Sequence, residues 1–164
     1  MSNEPKDLKP ESWHRYFAIE NNNLAWSLAA KRSRTPAEAA TMLDAAHAAS
    51  LHWSMVGNEL NVMRANMLLA EVHALMGFEQ SAFKLAEEIR KFFLDRETAD
   101  WELAFVHAIH AHAAFAAGVP EKHRDSYFAA VAAIDQIADE EDRRIVLETF
   151  EQVPVPMPST TDDA

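Results

Sequence analysis

Apolar residues recur along most of this chain at the three- and four-residue spacing of amphipathic helices. The clearest run is Ala82, Leu85, Ala86, Ile89 and Phe93, one stripe on a segment from about Glu79 to Leu94. About seven helical segments are predicted in all. The first runs from about Pro10 to Arg32, with Trp13, Tyr16, Phe17, Leu24 and Leu28 on one side. Glu20 interrupts that stripe, and the consecutive Asn21 to Asn23 leave the segment open to a kink or a split. The second starts with Thr35-Pro36-Ala37-Glu38, a capping box with proline in the first turn. It runs to about Val56, with Leu43, Ala46 and Trp53 on one face. The third spans Asn58 to Met76. The fifth opens at Asp100 as an N-cap. It carries Trp101, Leu103, Phe105, Val106, Ile109 and Phe115 around much of its circumference, which predicts a central helix. The sixth, Pro120 to about Ala138, turns Tyr127, Ala130, Val131, Ile134 and Ile137 inward, and the seventh runs from near Asp139 to Phe150 or Val153.

The joints between the third and fourth segments, and between the fifth and sixth, are two or three residues long. Such joints make neighbouring helices antiparallel. Residues 1–9 are expected to be flexible, 10–153 to form a single helical domain, and the proline-rich tail 154–164 to be disordered.

Composition strengthens the all-α reading. The chain has 30 alanines but only 21 β-branched residues, and only three glycines, so strands and tight turns lack their usual residues. No glycine-rich phosphate loop can be built from Gly57, Gly77 and Gly118. Each glycine follows a periodic run, where a left-handed residue closing a helix belongs. The absence of cysteine removes thiolate metal sites, disulfides and cysteine nucleophiles, and fits a cytoplasmic protein. The first ten residues are polar, so neither a signal nor a transit peptide is expected, and no apolar run reaches membrane-span length. A net charge of −11 repels phosphate backbones, so nucleic-acid binding is not expected. Solubility is the simplest role of that charge.

The segments around Gly77 and Gly118 correspond. Ala70 and Ala111 stand at one offset before their glycines, and Ala82, Ala86 and Ile89 answer to His123, Tyr127 and Ala130 after them. Together with the helix–turn–helix pattern, this resembles the tetratricopeptide repeat over about Asn58 to Ala138, with the first two segments as a degenerate leading pair. In that pattern Leu69 and Ala70 take the leucine and small-residue places, His73 the aromatic place, Gly77 the turn and Ala82 the small place of the second helix. In the second unit Ala111, Gly118, Tyr127 and Ala130 fit. The glycine-to-glycine period is longer than the family's, and its first-helix tryptophan and closing proline are absent. The stretch Asp100-Trp101-Glu102-Leu103-Ala104-Phe105 is also similar to small uncharacterised bacterial helical proteins, a likeness that implies no activity.

The resemblance implies a short superhelix of stacked helix pairs whose concave groove is lined by Arg64, Met67 and Glu71 from the third segment and Phe105, Ala108 and His112 from the fifth. A mixed apolar and charged groove suits a peptide, a partner helix or the chain itself. The expectation is a non-enzymatic interaction module with a protein or peptide partner. A homodimer is also expected, because a short solenoid leaves apolar end faces. No catalytic residue, metal or cofactor is assigned.

The alternative is a histidine/carboxylate metal-binding bundle or small enzyme. Eight histidines are many for this length. On a regular helix His107 and His110 are about 60° apart, whereas His112 lies about 160° from His110, so the three cannot share one site. Glu11 with His14 and Asp44 with His47 have i, i+3 spacing, but the further acids of a di-iron bundle are not evident. Acid–base work by Glu71 with His112 is conceivable. The simpler expectation is that these two form an ion-paired groove, and that histidines such as His73 and His123 are hydrogen-bonded packers between helices.

Overall fold

The structure is a computed structural model that describes residues 4–6 and 9–157; expectations for residues 1–3, 7–8 and 158–164 lie outside it. Among the described residues the protein is all-α with seven helices: α1 (Pro10–Ala29), α2 (Pro36–Val56), α3 (Glu59–Leu75), α4 (Glu79–Leu94), α5 (Asp100–Ala116), α6 (Pro120–Gln136) and α7 (Glu140–Phe150).

Each helix packs on the next, and the odd-numbered helices also pack on one another: α1 on α3, α3 on α5, α5 on α7. The result is an inner layer of α1, α3, α5 and α7 backed by α2, α4 and α6. As its all-round apolar pattern predicts, α5 is central; it touches α3, α4, α6 and α7 and buries residues on every side.

Local signals set the helix starts. Thr35 and Glu38 form the expected reciprocal capping box on α2. Asn58 and Asn61 do the same for α3, with an amide where glutamate is usual. Asp139 caps α7 by accepting from Glu141 N and Asp142 N. At α5 the cap is Ala99; Asp100 is already helical, and its carboxylate accepts from Trp101 N at 2.8 Å. An acidic first turn at the positive helix end still favours that start.

Gly77 and Gly118 close α3 and α5 with φ of 75° and 69°. In both turns the second residue after the helix cap bonds back across the turn, Phe78 N to His73 O at 2.8 Å and Val119 N to Ala114 O at 2.9 Å. This is the six-to-one bond of a Schellman close. The two turns are thus equivalent in conformation as well as in sequence. Gly57 differs. It is extended, with φ −84° and ψ 162°, and is small because a Cβ there would lie 2.7 Å from Trp53 O and 2.8 Å from the Asn61 Cβ.

Helix α1 runs unbroken through Asn21–Asn23, where the Asn21 amide donates to Phe17 O at 2.8 Å. Its buried stripe is Ala18, Ala25 and Ala29, while Phe17 and Leu24 of the expected stripe are exposed. The reason is close packing: Ala25 and Ala29 of α1 pack with Ala45, Ala46 and the one large side chain Met42 of α2. Leu43 and Trp53 of the expected α2 face are only half-buried. On α6 the inward residues are His123, Ser126, Ala130 and Ile134, and Val131 is exposed. The α4 stripe is as predicted, with Leu85 half-buried.

After α7 the chain brings Val155, Pro156 and Met157 to a hollow shared with Phe115, Gly118, Val119, Pro120 and His123. No helix among the described residues is long and apolar enough to cross a membrane.

Candidate functional site

A cavity of about 470 Å³ opens on the inner layer. Every residue lining it belongs to α1, α3, α5 or α7 or caps α1: Asn22, Trp26, Ser27 and Ala30; Arg64 and Met67; Trp101 and Phe105; Ile145, Glu148 and Thr149. The inner layer curls enough for its two ends to meet. Gln152 donates to Ala29 O at 2.8 Å, and Arg32 pairs with Glu151. Those contacts join the end of α7 to the end of α1, beside the cavity.

Three aromatic rings form its wall. Trp26 lies 5.4 Å from Phe105, and Trp101 meets Phe105 edge-on at 6.3 Å. Arg64 stands over Trp101, 5.5 Å from the ring centre, while its Nε donates to Glu102 Oε1 at 2.6 Å. Glu102 is only 5 % exposed, so its charge is carried by that one guanidinium contact. Arg64 is thus neutralised by Glu102, and the pocket presents apolar surface with polar groups around it.

Of the six groove residues expected from sequence, Arg64, Met67 and Phe105 line this cavity. Glu71, Ala108 and His112 do not; all three are buried within the fold. Glu71 and His112 pair with each other, His112 Nδ1–H donating to both carboxylate oxygens at 3.0 and 3.1 Å. Burial opposes the charged imidazolium, and the Arg34 charge opposes it a little more. The Glu71 carboxylate outweighs both and raises the His112 pKa. Sequence reasoning missed Trp26, Trp101 and all of the α7 wall. Trp101 lies one turn before Phe105 on the same helix and was available as a signal. The approach of α7 to α1 leaves no local sequence mark.

Except for His107, the other histidines bond to a neighbouring helix, as expected of packers. His110 Nε2–H donates to Glu87 at 2.6 Å and its Nδ1 accepts from the Ser126 hydroxyl at 2.7 Å, tying α5 to α4 and α6. Burial holds the His110 pKa down against the pull of Glu87. His123 Nδ1–H donates to Ala111 O at 2.9 Å. His107 is depressed to about 4, by burial first and then by the Arg90 and His110 charges, and its Nδ1 is buried without a hydrogen-bond partner. The helical-wheel expectation for α5 holds: His110 faces α4 and α6, and His112 faces α3. The histidines of both i, i+3 acid/histidine pairs meet another histidine: His14 meets His52, and His47 meets His73. Among the described residues no three or more His, Asp or Glu side chains converge to hold a metal ion.

No family model matches this chain, and no curated protein and no solved structure does either.

Proposed function

We propose that this chain is a non-enzymatic, tetratricopeptide-like interaction module, and that its inner cavity receives a bulky apolar or aromatic side chain of a peptide or protein partner. The observation that carries this reading is the lining: three aromatic rings, Met67 and Ile145 around a space of about 470 Å³, with Arg64 and Glu148 among the lining residues. Pockets of roughly 300–1,000 Å³ with apolar walls and a few polar groups are typical of small-molecule and anchor-residue sites. The meeting of α1 and α7 favours a single inserted anchor over a whole helix lying in a groove. A cytoplasmic setting fits the lack of cysteine.

The test is selection of displayed random peptides on the purified protein. Binders should share one bulky apolar residue. They should be lost when Ala30, exposed at the end of α1 and lining the cavity, is replaced in Ala30→Phe. That variant fills the space without removing a core side chain, so its thermal melt should match the parent. Selected peptides that bind Ala30→Phe as well as they bind the parent would overturn the assignment.

A further inference from the structure

Helix α2 carries two histidines that each meet a histidine of a neighbouring helix, and the two meetings differ in geometry. His14 and His52 approach Nδ1 to Nδ1 at 2.8 Å. His47 and His73 approach Nε2 to Nε2 at 3.2 Å. Imidazole ligands sit about 2.0–2.1 Å from a zinc-class ion, so two of them around a near-tetrahedral ion lie roughly 3.2–3.4 Å apart. The His47–His73 spacing corresponds to a ligand–metal–ligand angle of about 103° on those bond lengths. The His14–His52 spacing would force about 86°; both contacts are within hydrogen-bond range, so the angle and not the length distinguishes them.

The surroundings of His73 point the same way. Its Nδ1 is hydrogen-bonded to the Ser81 hydroxyl at the start of α4, and its ring packs edge-on against Phe78 at 5.5 Å. When Nδ1–H donates to Ser81, the lone pair lies on Nε2 and faces His47. Metal-binding histidines are usually oriented in this way, by a hydrogen bond from the ring nitrogen that does not bind the metal. His47 is exposed, and both rings line an open hollow with Gly77, Phe78, Glu79, Gln80 and Ser81, so an ion can reach them.

We infer that His47 and His73 form a two-imidazole chelate for a divalent transition ion of the imidazole-preferring class, represented by Zn²⁺ or Cu²⁺, which clasps α2 to α3. Among the described residues no third His, Asp or Glu joins the two in one group, so water would complete the coordination. Hard ions that prefer oxygen ligands, such as Mg²⁺, are not expected to bind. This inference is independent of the inner cavity, which lies on other helix faces.

The test titrates Zn²⁺ into tag-free, full-length protein in competition with a fluorescent zinc indicator, with Mg²⁺ as the control ion. One saturable site is expected, together with a rise in Tm, because an ion bound only by the folded state stabilises it. His47→Ala, at an exposed position, should weaken binding by at least about tenfold and abolish the Tm rise, and Ser81→Ala should weaken it by about tenfold through loss of ring orientation. His52→Gln should leave the affinity unchanged. No saturable Zn²⁺ site, equal affinity in His47→Ala, or loss of binding in His52→Gln would overturn the inference.

Discussion

Glu71 and His112 are 41 residues apart and form a buried hydrogen-bonded pair with each other, His112 Nδ1–H lying 3.0 Å and 3.1 Å from the two carboxylate oxygens. Gly77 and Gly118 are separated by the same interval. The pair is therefore one repeat position meeting its own equivalent across the α3–α5 contact, and repeat stacking and charge pairing coincide. Glu71 is 1 % exposed, so neither partner has water as a substitute.

Removing His112 leaves the Glu71 carboxylate buried without its partner, and breaking a buried pair in this way typically costs about 3–5 kcal/mol. His112→Ala is expected to lose stability on that scale in urea denaturation, and Glu71→Ala less, because the imidazole left behind can stay neutral. The double variant should lose clearly less than the sum of the two, since the second removal relieves the charge stranded by the first. Additive losses would refute the coupling.

Stability should fall on the acid side through His107. Its folded pKa, about 4, lies below the ordinary histidine value of 6.5, so the unfolded chain binds the proton first. That contribution is present above the unfolded value and is lost as pH drops toward 4. His110 is lowered too and acts in the same direction. His112 has the opposite sign. Its raised pKa contributes stability that is full below 6.5 and is lost as pH rises through the folded value. Urea midpoints at about pH 5 and about pH 7.5 should therefore differ less in His107→Leu than in the parent. An unchanged difference would show that His107 stays neutral in neither state preferentially.

The two left-handed glycines should respond alike, and Gly57 differently. Gly77→Ala and Gly118→Ala meet no atom within 4 Å but force φ of 75° and 69° on an L-residue, a cost of about 1–2 kcal/mol each. Asparagine at either position should recover part of that loss. Gly57→Ala is strained by contact rather than by φ, so Gly57→Asn should be worse than Gly57→Ala. Thermal melts of these variants separate the two causes.

Self-association is expected through the outer face of α2. Leu51 and Met55, one turn apart, are each 61 % exposed. Light scattering should give twice the 18.4 kDa chain mass, and Leu51→Glu with Met55→Glu should return it to the single-chain value. A parent protein at monomer mass would refute this.

Phe105 shows why half of the expected groove was legible. It lies on a helix that is apolar on several sides, and it serves both core and cavity, being 6 % exposed. Phe105→Ala would therefore cost about 3–5 kcal/mol in packing and is a poor probe of binding, whereas Ala30→Phe is a clean one. The α1 face follows a related rule: Phe17 and Leu24 stay exposed, and Ala18, Ala25 and Ala29 are the side chains small enough for α1 and α2 to approach.

The sequence by itself determined the helices, their capped starts, the equivalent glycine turns and the opposite facings of His110 and His112. These depend on propensity, on hydrogen bonds within a few residues and on helical angle, all of which are local. Only the tertiary structure decided that the end of α7 reaches back to the end of α1, that Glu71 and His112 are buried away from the cavity, and that His47 meets His73. Those outcomes rest on contacts between helices far apart in the chain. Such contacts are set by how side-chain volumes interlock across the whole set of packed helices. No spacing rule along the chain encodes them.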